Sequence, residues 1–203
     1  MIARNFVLLC FTIAGFALVP LDNVIGAKPP TAPGQYRDWN DDIDEVTIIQ
    51  PFRLDSYNDI AVESFDITRV TLPDPNENTY AAVRSALGSI KPGFLEGFQK
   101  NLRQKPAGPR ADPGKGQALV VLVRVTKLDP GSQAARYWAG FGAGAVKIEV
   151  AGDIVDARSR KVLVRFKQER RSGFGLFGGG YGELFNRTAR QIGGDVANLL
   201  NAF

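Results

Sequence analysis

Gln117-Ala-Leu-Val-Val-Leu-Val-Arg-Val-Thr-Lys-Leu128 opens the stretch, residues 118–172, whose reading decides the fold. Leu119, Val121, Val123 and Val125 fall on one face of an extended chain; Val120 and Leu122 begin the other, and Arg124 and Thr126 continue it. In Ala145–Val155, Val146, Ile148, Val150 and Ile154 alternate with Lys147, Glu149 and Asp153. In Lys161–Arg170, Val162, Val164 and Phe166 alternate with Leu163, Arg165 and Lys167. Period-two alternation rich in β-branched residues predicts three half-buried strands of an antiparallel sheet. The polar Asp156–Arg160 between the last two suits a tight hairpin.

Outward from this centre, Gly182–Phe203 reads as a helix. Its residues Phe185, Ala189, Ile192, Val196, Leu199 and Phe203 are spaced alternately by four and three, which is one apolar face. Thr79–Gln104 reads as helical in two pieces. Pro92 is expected to begin the second piece, where its missing N–H costs nothing, and Phe94, Leu95, Phe98 and Leu102 form its stripe. Asp59–Thr68 is a strand, and Glu45–Arg53 an edge strand limited by Pro51. Leu72–Asn78 and the proline-rich Lys105–Gly116 are loops. Docking the helices on one side of the sheet predicts a two-layer α+β domain: a mainly antiparallel sheet of about four strands packed by two helices.

The start of the chain reads differently. Met1–Asn5 carries Arg4, Phe6–Leu21 is a short apolar run broken by Pro20, and Asp22–Ala27 ends in small residues. That order describes a secretory signal peptide over 1–27, and the run is shorter than a membrane span wants. Residues 28–44, rich in proline, glycine and acids, are expected to be a flexible linker, with one domain over 45–203. The expected location is therefore the periplasm or the exterior. Cys10, the one cysteine, lies in the leader behind Val7, Leu8 and Leu9 rather than small residues, so lipidation there is not expected and the mature chain is expected to hold no cysteine and no disulfide.

Composition narrows the chemistry. The 203 residues include no histidine, which removes Ser–His and Cys–His nucleophile pairs and, with no cysteine outside the leader, the usual zinc sites. No catalytic residue, metal ligand or cofactor is assigned. The net charge of +4 gives no reason to expect nucleic acid. The charges are segregated: residues 36–77 are strongly acidic, while 158–171 hold Arg158, Arg160, Lys161, Arg165, Lys167, Arg170 and Arg171 against Glu169. These surfaces face each other or water, or else form a basic sheet face for an acidic partner.

Two glycine–aromatic segments stand out. Tyr137, Trp138 and Phe141 lie among Gly140, Gly142 and Gly144; Phe174, Phe177 and Tyr181 lie within Gly173–Gly182, directly after Arg170 and Arg171. The second segment contains Gly173-Phe-Gly-Leu-Phe-Gly178, but the chain ends after the next helix. No second parallel strand remains to carry a ribose ligand, so a dinucleotide site is not expected. The structural reading is turns whose aromatics fold back on the core. The functional one is a contact surface for an envelope protein or an anionic membrane surface. Small-ligand or anion binding by Gly173–Gly182, or an enzyme using carboxylates, are the competing classes.

Gly131-Ser132 to Gly144, Asp153-Ile-Val-Asp156, Lys161-Val-Leu163 and the closing Arg187–Leu200 helix carry a resemblance. Over roughly residues 45–203 the chain resembles the domain-of-unknown-function family 4410 of bacterial exported proteins and lipoproteins. The resemblance implies a small α+β domain of envelope assembly or maintenance, and brings no established activity or catalytic residues.

Overall fold

The computed structural model describes residues 28–104, 117–131, 145–172 and 180–203. In chain order these hold β1 (Gly34–Trp39), β2 (Ile43–Ile48), β3 (Asp59–Asp66), α1 (Tyr80–Ala86), α2 (Ile90–Asn101), β4 (Ala118–Asp129), β5 (Lys147–Asp156), β6 (Val162–Arg171) and α3 (Tyr181–Asn201). All six strands join one sheet in the order β1-β2-β6-β5-β4-β3. Only β3 and β4 pair in parallel; the other four pairs are antiparallel. The class is α+β, as the alternation predicts, but the sheet has six strands rather than about four.

The central meander β4–β5–β6 forms as its pattern dictates. Leu119, Val121, Val123 and Val125 of β4, Ile148, Val150 and Ile154 of β5, and Val164 and Phe166 of β6 are buried in one core with the helices. The alternation slips once in β4. A register irregularity between Val125 and Lys127 leaves Thr126 and Lys127 exposed and returns Leu128 to the core. Gly152 lies opposite Phe166, and a side chain there would run into the Phe166 ring and the Leu122 carbonyl. The glycine makes room for the ring.

Residues 28–44 are corrected by this structure. Gly34–Trp39 is a strand, so the expected linker is part of the sheet at least from Gly34 onward. Trp39 is buried, and its indole N–H donates to the Pro30 carbonyl at 2.9 Å. The stretch looks unstructured in sequence because it holds a tight turn: Asp38, Asn40 and Asp41 all adopt positive φ, a conformation that Asn and Asp tolerate better than most residues. The expected edge strand at 45–53 is likewise corrected. β2 lies between β1 and β6 and ends at Ile48.

α1 and α2 connect the parallel pair β3–β4 and, with α3, cover one face of the sheet. Pro92 does not begin α2, which starts two residues earlier at Ile90; its missing N–H still falls within the first turn, where helical N–H groups lack partners. Phe94 and Phe98 are buried as expected, while Leu95 is only partly so.

The α2–α3 contact depends on residues with no side chain. A Cβ on Gly93 would overlap the Asn186 carbonyl, one on Gly97 the Arg190 carbonyl, and one on Gly193 the Phe94 carbonyl. Gly194 faces Asn101. The contacts advance in the same direction along both helices, so the pair is parallel, with backbones in direct contact. At their C-terminal ends, Asn201 Nδ2 donates to the Asn101 carbonyl at 2.8 Å and Arg103 N–H donates to Asn201 Oδ1 at 3.0 Å. The first of these bonds satisfies a carbonyl that the C-terminal end of α2 leaves without a helical partner.

The apolar stripe of α3 is buried from Phe185 to Leu199, and Phe203 stacks on Phe52 with ring centroids 4.5 Å apart. Ile192 is fully enclosed in this layer. Ile192→Ala should lower stability by about 2–5 kcal/mol in chemical denaturation; an unchanged midpoint would show that α3 does not carry the core.

Candidate functional site

The strand register brings three strand ends together at one end of the sheet. Asp129 at the end of β4 pairs with Lys147 at the start of β5, which pairs with Arg171 at the end of β6. Just beyond the ladder, Ser172 N–H donates to the Val146 carbonyl at 2.7 Å, and the Ser172 hydroxyl accepts from Val146 N–H at 2.9 Å. Gly131 begins the turn away from β4, with φ of 66° and its N–H on Asp129 Oδ1 at 2.9 Å. The roots of both glycine–aromatic segments are therefore fastened to each other. Tyr137, Trp138, Phe141, Phe174 and Phe177 themselves lie outside the described residues, as do Gly140, Gly142 and Gly144.

Of the remaining candidates, Arg171 is exposed at this sheet end. Tyr181 is corrected: it is the first residue of α3, buried, with its ring 5.9 Å from that of Phe185. It belongs to the core rather than to a contact loop. Arg170 is corrected too. Gln168 and Arg170 share the parity of Val164 and Phe166, so their side chains turn toward the helices. There Arg170 grips Asp195 of α3 with two bonds, Nε to Oδ2 at 2.7 Å and Nη2 to Oδ1 at 3.0 Å. Gln168 Nε2 donates to Asp195 Oδ2 at 2.9 Å, and its Oε1 accepts from Asp44 N–H at 2.9 Å. Asp44 Oδ2 accepts from Glu169 N–H at 2.6 Å. Arg170 Nη2 also reaches the Asp42 carbonyl at 3.3 Å. The network ties α3, β6 and the β1–β2 turn together.

Burial pushes the Asp195 carboxyl above its ordinary value, against the opposing pull of Arg170 and Gln168. The hydrogen bonds that Arg170 donates to Asp195 raise its pKa and hold it charged. The two shifts bear on one pair in opposite senses. That of Asp195 is the more telling, because its side chain is 11% exposed against 35% for Arg170. Beside the pair, Asp38, Asp41, Asp42, Ile43, Asp44, Gln168 and Arg170 line an open cleft of about 210 Å³. Among the described residues, no group of three or more His, Cys, Asp or Glu side chains is arranged to hold a metal ion.

On the face of the sheet turned away from the helices, part of the basic stretch 158–171 is matched by acids. Lys147 pairs with Glu169 at 3.0 Å, Arg165 with Asp153 at 3.5 Å and Lys167 with Glu149 at 3.7 Å. Arg160 pairs with Glu63 of β3 at 3.0 Å. Of the two readings of this stretch, the pairs speak against a basic sheet face: opposite charges alternate across β5 and β6, as cross-strand neighbours favour.

A second polar group closes the opposite end of the sheet. Asp156 accepts from Ser159 N–H and Oγ, each at 2.7 Å, and from the Tyr57 hydroxyl at 3.3 Å. The Ser159 amide foremost holds the Asp156 carboxyl below its ordinary value. Burial, with the nearby Asp156 charge, pushes the Tyr57 phenol up to about 12. A depressed carboxyl contributes stability above its unfolded-state pKa, and that contribution is lost as pH falls through the folded value. Asp156→Asn should therefore melt below the wild type at pH 7, and the gap should close on acidification below about pH 4. A gap independent of pH would show that the carboxylate charge is not what holds the turn.

The fold is thus a six-stranded mixed sheet with helices on one face, and its polar groups serve mainly to fasten its ends. Residues 95–175 match the family described as a domain of unknown function, DUF4410. The match runs from within α2 past the end of β6 and contains the whole meander and the motifs quoted between residues 131 and 163, but not the Arg187–Leu200 helix, so it is shorter than the stretch 45–203 over which the sequence shows the resemblance. No protein with a curated description matches the chain.

Similar solved structures include a PelC dodecamer from Paraburkholderia phytofirmans, 12% identical over 74% of this chain and 96% of that one, with a TM-score of 0.38. A protein from Xanthomonas campestris of the family DUF330 is 18% identical over 71% and 84%, with a TM-score of 0.39. Values this low describe a broad likeness and carry no functional argument. No helix among the described residues is long and apolar enough to cross a membrane.

Proposed function

We propose that this chain is an exported domain that acts by binding in the cell envelope, in its assembly or maintenance, rather than by catalysis. The contact surface is the sheet end from which both glycine–aromatic segments leave, and its partner is an envelope protein. The observation that supports this reading is the reciprocal Val146–Ser172 hydrogen bonding, which fixes the roots of residues 132–144 and 173–179 side by side. Two segments remote in sequence thus adjoin neighbouring backbone at Val146 and Ser172, next to exposed Arg171. Aromatics and arginine are the residue types that most often carry binding energy at protein interfaces. The basic, apolar and small-residue order of 1–27 supports export.

Replacing Phe174 and Phe177 by serine, with buried Tyr181 left in place, tests the proposal. The strands and α3 lie outside this segment, so the melt should be unchanged. Recovery of crosslinked partners from the envelope should fall by at least about tenfold, the effect of losing roughly 1.4 kcal/mol of contact energy. Unaltered recovery from a folded variant would overturn the proposal. So would binding that requires only anionic liposomes and no protein.

A further inference from the structure

We draw no further inference here: the strongest candidate, the acidic cleft at the β1–β2 turn lined by Asp38, Asp41, Asp42 and Asp44, is a cluster of carboxylates whose buried polar neighbour Gln168 already has both ends of its amide hydrogen-bonded, so nothing in the structure points to a ligand.

Discussion

Gly97→Val should leave the protein unfolded or nearly so. The new Cβ would fall on the Arg190 carbonyl oxygen, a backbone atom held inside a helix, and no side-chain rotation can relieve the overlap. Overpacking usually costs about 1–3 kcal/mol, and backbone-to-backbone cases lie at or beyond the upper end. That is a large part of the stability of an ordinary domain. Gly182→Ala is the matched control, because among the described residues a Cβ at this position in the first turn of α3 would meet no neighbour within 4 Å. There alanine should be neutral or slightly stabilising, since it is the better helix former by up to about 1 kcal/mol. Circular dichroism melts of the two variants decide the matter. A Gly97→Val protein melting with the wild type would mean that α2 and α3 do not pack backbone to backbone.

Arg170→Ala should have the next largest effect. It leaves Asp195 with a side chain 11% exposed and no countercharge, which typically costs about 3–5 kcal/mol. The sign of its pH dependence follows from the direction in which Asp195 is already displaced. Burial raises that carboxyl in the wild type, and losing Arg170 raises it further. A folded-state pKa above the unfolded one favours the fold at low pH and penalises it as pH rises through the folded value. The stability deficit of Arg170→Ala relative to wild type should therefore shrink on acidification and widen toward neutrality. Urea midpoints across a pH series measure it. A deficit that grows on acidification would mean that Asp195 is not an enclosed carboxylate. A deficit absent throughout would return Arg170 to the list of contact residues.

The meander and the C-terminal helix were legible in the sequence because their burial is carried by side chains in strict phase: alternate residues in β4 to β6, and spacings of four and three in α3. What escaped was carried by other means. β1 has little apolar content besides Tyr36 and Trp39; it is a strand because β2 offers it a backbone ladder, and composition does not record an offered ladder. The α2–α3 contact depends on Gly93, Gly97 and Gly193, which an apolar count ignores; the four-residue spacing of the first two was the available signal. In sequence Arg170 reads as a contact residue because it stands directly before the Gly173–Gly182 segment. Its parity with Val164 and Phe166 pointed inward, and Asp195, three residues from Ile192 and one from Val196, pointed to meet it. The candidate contact surface was legible as composition only. The strand ends that adjoin its two halves are neighbours through the pairing of Lys147 with Arg171 and Asp129, a register that no local pattern contains.

The sheet order also governs what a growing chain can do. β2 has its inner neighbour in β6, and the hydrogen bond between Asp44 and Gln168 joins residues 124 positions apart. Until β6 exists, β1 and β2 are an isolated two-stranded hairpin, a structure of marginal stability in water. The sheet face that α3 covers is uncovered for longer still, because α3 follows β6 in the chain. Such long-range closure slows folding and prolongs the exposure of apolar surface. Synthesis therefore passes through a long interval in which α1, α2 and β3 to β5 are present but the domain cannot close. During that interval the nascent protein exposes apolar surface that a chaperone could cover, and making β6 and α3 ends it.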